Sequence, residues 1–208
     1  MTSAKHHNVC TSPDCGKFGV LYLASPAASL EIVIDNQGSG CVVDRPFREA
    51  IDKFHNELRQ RIAKGEAEGY GPAREMYGLV YDCGLEEEAR KETKLPGYAD
   101  LHHRGVTRFS GDYEGSAISA LKEILETFSA DKNSMRQVIY PKAARFGCSG
   151  RLRRNKKTGM RRMDWVCIYD KKPKDGESFE GGKPCNENKD CTYYKGSTCE
   201  WNLCYTFF

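Results

Sequence analysis

The sequence predicts an α+β fold closed by a cysteine-rich tail, and three observations carry that reading. Apolar residues recur at helical spacing through the first two-thirds of the chain, the period changes after Arg136, and four of the ten cysteines crowd into the last 24 residues. Phe47, Ile51, Phe54, Leu58 and Ile62 follow one another at four, three, four and four residues, which draws one apolar stripe on an amphipathic helix. Asp44 ahead of Pro46 supplies a start for that helix and Gly65 a stop. A second helix is predicted over residues 85–91, with Glu86, Glu87 and Glu88 near the end where the helix dipole favours negative charge. A third is predicted over residues 116–128, striped by Ile118, Leu121, Ile124, Leu125 and Phe128. Beyond Arg136, the residues Val138, Tyr140 and Phe146, and then Met163, Trp165, Cys167 and Tyr169, suit strands. Residues 155–159 supply a turn, so a hairpin is expected there, with Cys148 and Cys167 placed to pair across it.

Composition bounds the function. The chain has 208 residues, 39% of them hydrophobic and 11% aromatic, which excludes a wholly disordered polymer. No uninterrupted apolar run reaches membrane-spanning length; residues 18–34 come nearest and are broken by Pro26 and Glu31, so no transmembrane segment is expected. The first residues lack the apolar core of a signal peptide. Ten cysteines, an even number at irregular gaps without a Cys-x-x-Cys pair, read as a disulfide framework from an oxidising compartment, a structural zinc site being the alternative. No Asn-x-Ser/Thr acceptor for N-glycosylation occurs.

The net charge of +3 is unevenly spread. Residues 151–162 hold seven cations, Arg151, Arg153, Arg154, Lys156, Lys157, Arg161 and Arg162, and no acid. The remainder carries 25 basic against 29 acidic groups, so one cationic feature rides on a mildly acidic body. That argues against a nucleic-acid binder, whose charge should coat a face. It favours sulfated glycans or anionic lipid headgroups, which arginine grips through paired hydrogen bonds.

Four motifs in order resemble the CAP superfamily of cysteine-rich secretory proteins, venom allergens and pathogenesis-related proteins. Residues 54–59 (FHNELR) are similar to its opening helix, and 76–89 (MYGLVYDCGLEEEA) to the next motif of helminth members. Residues 134–149 (SMRQVIYPKAARFGCS) resemble the signature His-Tyr-Thr-Gln-Val-Val-Trp that ends in Gly-Cys, through Gln137, Val138, Gly147 and Cys148. Residues 167–169 resemble a second signature, Cys-Asn-Tyr, and the tail at 182–204 resembles the hinge of the Ancylostoma-secreted-protein or venom-allergen-like group of parasitic nematodes. The resemblance implies a three-layer α–β–α sandwich with a C-terminal cysteine-rich hinge. It divides the chain into an N-terminal extension at 1–40, a CAP domain at 41–178 and a hinge or tail at 179–208.

The family's cleft often joins two histidines and two acidic residues into a divalent-metal site. Carried over, its positions fall on His102 or His103, on Asp112, on Glu123 or Glu126, and on Ser134 where the signature histidine belongs. With one imidazole replaced by a hydroxyl and a shortened acid, the expectation is a degenerate cleft with no metal and no cofactor. Catalysis is not expected either: nothing resembles Gly-x-Ser-x-Gly, and Ser134 is a replaced histidine rather than a built nucleophile. His55 and Arg59, one turn apart, read as structural. Among the tail cysteines, Cys185, Cys191, Cys199 and Cys204 are expected to close two bridges, leaving Cys10, Cys15, Cys41 and Cys83. The tail aromatics Tyr193, Tyr194, Trp201, Tyr205, Phe207 and Phe208 either pack on the main domain or form a binding surface. The resemblance thus implies a secreted, extracellular, non-enzymatic protein that binds host cell-surface or plasma molecules to modulate immunity or haemostasis. The alternative is a sterol or fatty-acid carrier with an apolar groove beside the helix at 116–128.

Overall fold

This computed structural model describes residues 40–154, 156–177 and 180–207. Cys10, Cys15, the extension up to residue 39 and Phe208 lie outside the described residues.

The first predicted helix is α1, Arg45–Lys64, with Asp44 at its N-cap and Gly65 ending it at a φ of 75°. That left-handed conformation suits glycine and closes the helix, Gly65 donating its N–H to the carbonyl of Ile62. A two-residue strand, β1 (Val80–Tyr81), leads into α2, Cys83–Lys94. This second helix is longer than the pattern predicts. The Asp82 carboxylate caps it from outside by accepting the Leu85 N–H, and its inward positions are Leu85, Glu86, Ala89 and Glu92. Two glutamates on the buried face hide the stripe from a hydrophobicity reading. A short helix α3 (Tyr98–Leu101) then precedes β2 (Gly105–Tyr113), a strand the sequence reading omits. Its alternation is real, but its inward side begins with Gly105 and Thr107 rather than large aliphatics.

The third predicted helix is α4 (Ala117–Phe128), capped by the Ser116 hydroxyl. Val138 and Tyr140 are a correction. Val138 ends another helix, α5 (Lys132–Val138), and Tyr140 follows it. Met135, Val138 and Ile139 are buried at helical spacing, and this period of three and four prevails over the β-branched character of Val138 and Ile139. The hairpin strands are β3 (Arg145–Arg154) and β4 (Arg161–Tyr169), antiparallel, with Cys148 opposite Cys167.

The sheet order is β1-β3-β4-β2, with β1 parallel to β3 and the other pairs antiparallel. Helices cover both faces, giving the three-layer sandwich. On one face Leu85 and Ala89 of α2, with Ala99 of α3, pack over Val166 and Ile168. On the other, Ile51, Leu58 and Ile62 of α1 join Leu121, Leu125 and Phe128 of α4 over Phe109, Phe146 and Trp165. Gly147 sets the first spacing: a Cβ there would stand 2.2 Å from the backbone nitrogen of Glu86.

The tail forms a 3-10 turn (Asn188–Asp190) and a small hairpin of β5 (Thr198–Glu200) and β6 (Leu203–Tyr205). Tyr205 is buried against Gly78, where a Cβ would lie 2.3 Å from its ring. Trp201 and Tyr194 are half-buried, while Tyr193 and Phe207 are exposed. Among the described residues, disulfides join Cys41–Cys83, Cys148–Cys167, Cys185–Cys199 and Cys191–Cys204.

Candidate functional site

The family-like motifs are absorbed by the fold. His55 is fully buried on α1, its Nδ1 2.7 Å from the Ile51 carbonyl and its Nε2 2.7 Å from the Tyr169 hydroxyl. Burial pushes its pKa down to about 4, so the ring is neutral at ordinary pH. Arg59, one turn on, is also fully buried and donates to the carbonyls of Tyr77, Val138, Tyr140, Pro141 and Ala143. Five main-chain acceptors on two segments make it a staple, not a catalyst. Burial lowers it to about 10, which still leaves it charged. Asn56 pins Leu79 through both its amide atoms. Asp52, buried beside Asn56, is pushed up to about 8 by loss of water.

Glu86 of the second motif, and Glu92 just beyond it, have similar duties. Glu86 accepts the N–H groups of Val42 and Val43 and the Tyr81 hydroxyl. Glu92 accepts from Gly97, Ala99 and Arg108. Gln137 donates to the Lys171 carbonyl and packs on Gly105, where a Cβ would fall 2.3 Å from its amide.

The cleft positions are not gathered into one centre. His102 and His103 are exposed in the turn before β2, His102 lying against Tyr98 at 4.2 Å between rings. Asp112 sits at the far end of β2, seven residues beyond Gly105, so roughly 20 Å away along extended chain. There it accepts from Arg162 at 3.1 Å. Glu123 and Glu126 are exposed on α4, and Ser134 lies in α5 with its N–H donated to Asp131. Among the described residues the one cluster of potential ligand atoms is Cys185, Cys191 and Cys204, all committed to disulfides. This donor set does not fit a histidine-and-carboxylate metal centre. The apolar stripe of α4, which a lipid groove would need, is spent on the core through Leu121, Leu125 and Phe128.

What remains outside the core is the cationic hairpin. Register places Arg151, Arg153 and Arg162 on the α2 side of the sheet, and Arg154 and Arg161 on the opposite side. Lys156 and Lys157 occupy the turn. The cations are therefore distributed around the ribbon rather than on one face. Two carboxylates stand among them: Asp164 pairs with Arg153 at 2.7 Å and with Arg162 at 3.1 Å, and Asp112 pairs with Arg162. The hydrogen bond to Asp112 is the main cause holding Arg162 above its ordinary pKa. Arg154 donates to the Gly159 carbonyl and Arg161 to that of Gly115. These acceptors hold the guanidinium groups in place on an exposed ribbon, which no sequence spacing could foretell.

No protein-family model matches the chain. A curated relative, "Ancylostoma secreted protein" of Ancylostoma caninum, is 26% identical over 202 residues, covering 80% of this chain and 45% of that protein. The chain thus spans about half the length of the curated relative it matches. Among solved structures, "Ancylostoma-secreted protein Ac-ASP-7" is 92% identical, with a TM-score of 0.79, over 86% of this chain and 99% of that one. A structure titled "Manganese-bound Ac-ASP-7" is 90% identical over the same shares, also at a TM-score of 0.79. "Hookworm Platelet Inhibitor" is 26% identical at a TM-score of 0.55, over 80% of this chain and 93% of that one.

Proposed function

The chain belongs to the Ancylostoma-secreted-protein family of CAP proteins, and from that premise we propose that it is a secreted, non-enzymatic protein that binds host macromolecules. The single observation behind the reading is a division of labour. The motif residues His55, Arg59, Glu86 and Gln137 are consumed inside the fold, while six exposed cations and the half-buried Arg162 stand on one ribbon. The non-enzymatic reading is supported by the engagement of both nitrogens of the buried imidazole and by the dispersal of the cleft positions among the described residues. Four disulfides among the described residues suit an extracellular setting. The name of the platelet-inhibitor relative supports host haemostasis as the setting. The hairpin suits a sulfated glycan on a host cell surface or plasma protein, because arginine binds sulfate with matched charge and paired donors.

Heparin chromatography tests this. The protein elutes late in a salt gradient, and replacing Arg153, Arg154, Lys156 and Lys157 by serine moves elution to markedly lower salt. An unmoved elution point overturns the reading. The dispersed cleft positions support a narrower proposal, that Asp112 holds no divalent ion in this chain: calorimetric titration with manganese, the ion named in the relative's title, should be unaffected by Asp112→Asn.

A further inference from the structure

The two arms of the basic hairpin hold each other least firmly at their outer end. Register sets Arg153 opposite Arg162 and Arg154 opposite Arg161, and like charges facing each other across a ladder weaken it. The first pair shares the Asp164 carboxylate, while Arg154 and Arg161 turn to main-chain oxygens, those of Gly159 and Gly115. Beyond them Lys156, Lys157, Thr158 and Gly159 are exposed in the turn. A ladder that ends in repelling pairs opens first at that end, and the opened arms present the turn as extended chain.

Extended, exposed chain following a lysine is what a trypsin-like endoprotease requires, since its specificity pocket meets the cation with a carboxylate. The neighbouring arginines draw such an acidic pocket toward the ribbon. Other basic positions are less suited. Those of α1 and α2 are held in helix, which a protease cleft accepts only after unwinding. Arg45, Lys172 and Lys183 precede proline, whose ring takes the place of the N–H at the bond to be cut. Toward the core, opening of the hairpin is stopped by the Cys148–Cys167 bond, and β4 stays paired with β2 along its length.

We propose that the dibasic pair Lys156 and Lys157 is a processing site for a trypsin-like serine endoprotease, and that the product is a two-chain molecule joined through Cys148–Cys167. Water is the co-reactant. At the Lys157–Thr158 bond the carbon–nitrogen bond breaks, the water oxygen stays on the Lys157 carboxylate, and both its protons end on the Thr158 ammonium. The cut removes the constraint between the arms and leaves the buried framework in place. The inference uses the same ribbon as the glycan reading but does not rest on it, because the cut removes no cation.

Limited digestion of the full native chain with trypsin, read by mass spectrometry with and without reductant, tests this. Among the described residues, the first bond cut follows Lys156 or Lys157. The nicked species is heavier than its parent by one water and parts into two pieces only after reduction. Replacing both lysines by glutamine slows that cut at least about tenfold, because the pocket loses its cation, while the thermal melt is unchanged. Arg161→Glu sets an opposite charge across from Arg154 and slows the cut about threefold, although a free peptide of residues 151–162 is cut equally with either residue at 161. A first cut elsewhere among the described residues overturns the inference, and so do pieces that part without reductant. An Arg161→Glu chain cut as fast as its parent, or a peptide slowed as much as the chain, also overturns it by removing the opening of the ladder.

Discussion

From Arg145 to Cys148, β3 is held on every side: β1 pairs with its first two residues, β4 runs along it, Gly147 lies under α2, and Cys148 is bonded to Cys167. From Arg151 to Arg154 the same strand is exposed, keeps one strand neighbour and carries three arginines. One continuous strand thus passes from a part where stability is decided to a part where recognition is proposed. The difference teaches that the recognisable motifs of this chain mark its framework. The segment that departs most from the mildly acidic body is the one left free to act.

The comparison can be broken most decisively at Arg59, which ties α1 to the segment leading into the inner end of β3. Arg59→Met leaves five carbonyl acceptors without their donor and should cost about 3–5 kcal/mol in denaturant unfolding. A loss under 1 kcal/mol would remove the staple from the account.

Next in size is a pH effect from α1. His55, lowered from 6.5 to about 4, stays neutral in the fold and takes a proton when unfolded, so its contribution is present above pH 6.5 and lost as pH falls toward 4. Asp52, raised from 3.8 to about 8, stays protonated in the fold and ionises when unfolded, so stability falls as pH rises from about 4 to 8. The two slopes oppose each other below pH 6.5, and the native chain should be nearly flat there. In Asp52→Asn the strongest opposing slope is gone, Asp170 opposing more weakly, and stability should rise between pH 4 and 6.5 by up to about 1.4 kcal/mol per unit. A flat profile in that variant would contradict the neutral, buried imidazole.

Gly147→Ala comes third. Its methyl would meet backbone of α2 at 2.2 Å, which cannot swing aside as a side chain can, so overpacking of about 1–3 kcal/mol is expected in thermal melts. The smallest effect belongs to the outer end. Serine at Arg153, Arg154, Lys156 and Lys157 should change stability by no more than about 0.5 kcal/mol while altering heparin retention. A large destabilisation there would erase the contrast between the two ends.

Much of the fold was legible in advance because its signals are local. The stripe from Phe47 to Ile62, the stop at Gly65 and the turn between the basic arms each depend on neighbours in sequence. The extent of α2 was not legible, because Glu86 and Glu92 occupy its buried face and are satisfied by N–H groups far along the chain or beyond the helix end. Val138, the end of a helix, and Tyr140 beyond it read as strand, since a short run of β-favouring residues does not separate the two periods. The candidate site was less legible than the fold. The seven cations could be counted, but their division between two faces and the turn follows from register.

The amino-acid order alone determined three of the helices, the hairpin, the disulfide-rich character and the single cationic segment, because periodicity, composition and charge are properties of neighbouring residues. Only the tertiary structure decided that Asp112 lies at the end of β2 far from His102, that Asp112 and Asp164 hold Arg153 and Arg162, and that, among the described residues, the outer part of β3 pairs with β4 alone. Those facts rest on which segments meet across the sheet, and that meeting is set by packing between residues far apart in the chain.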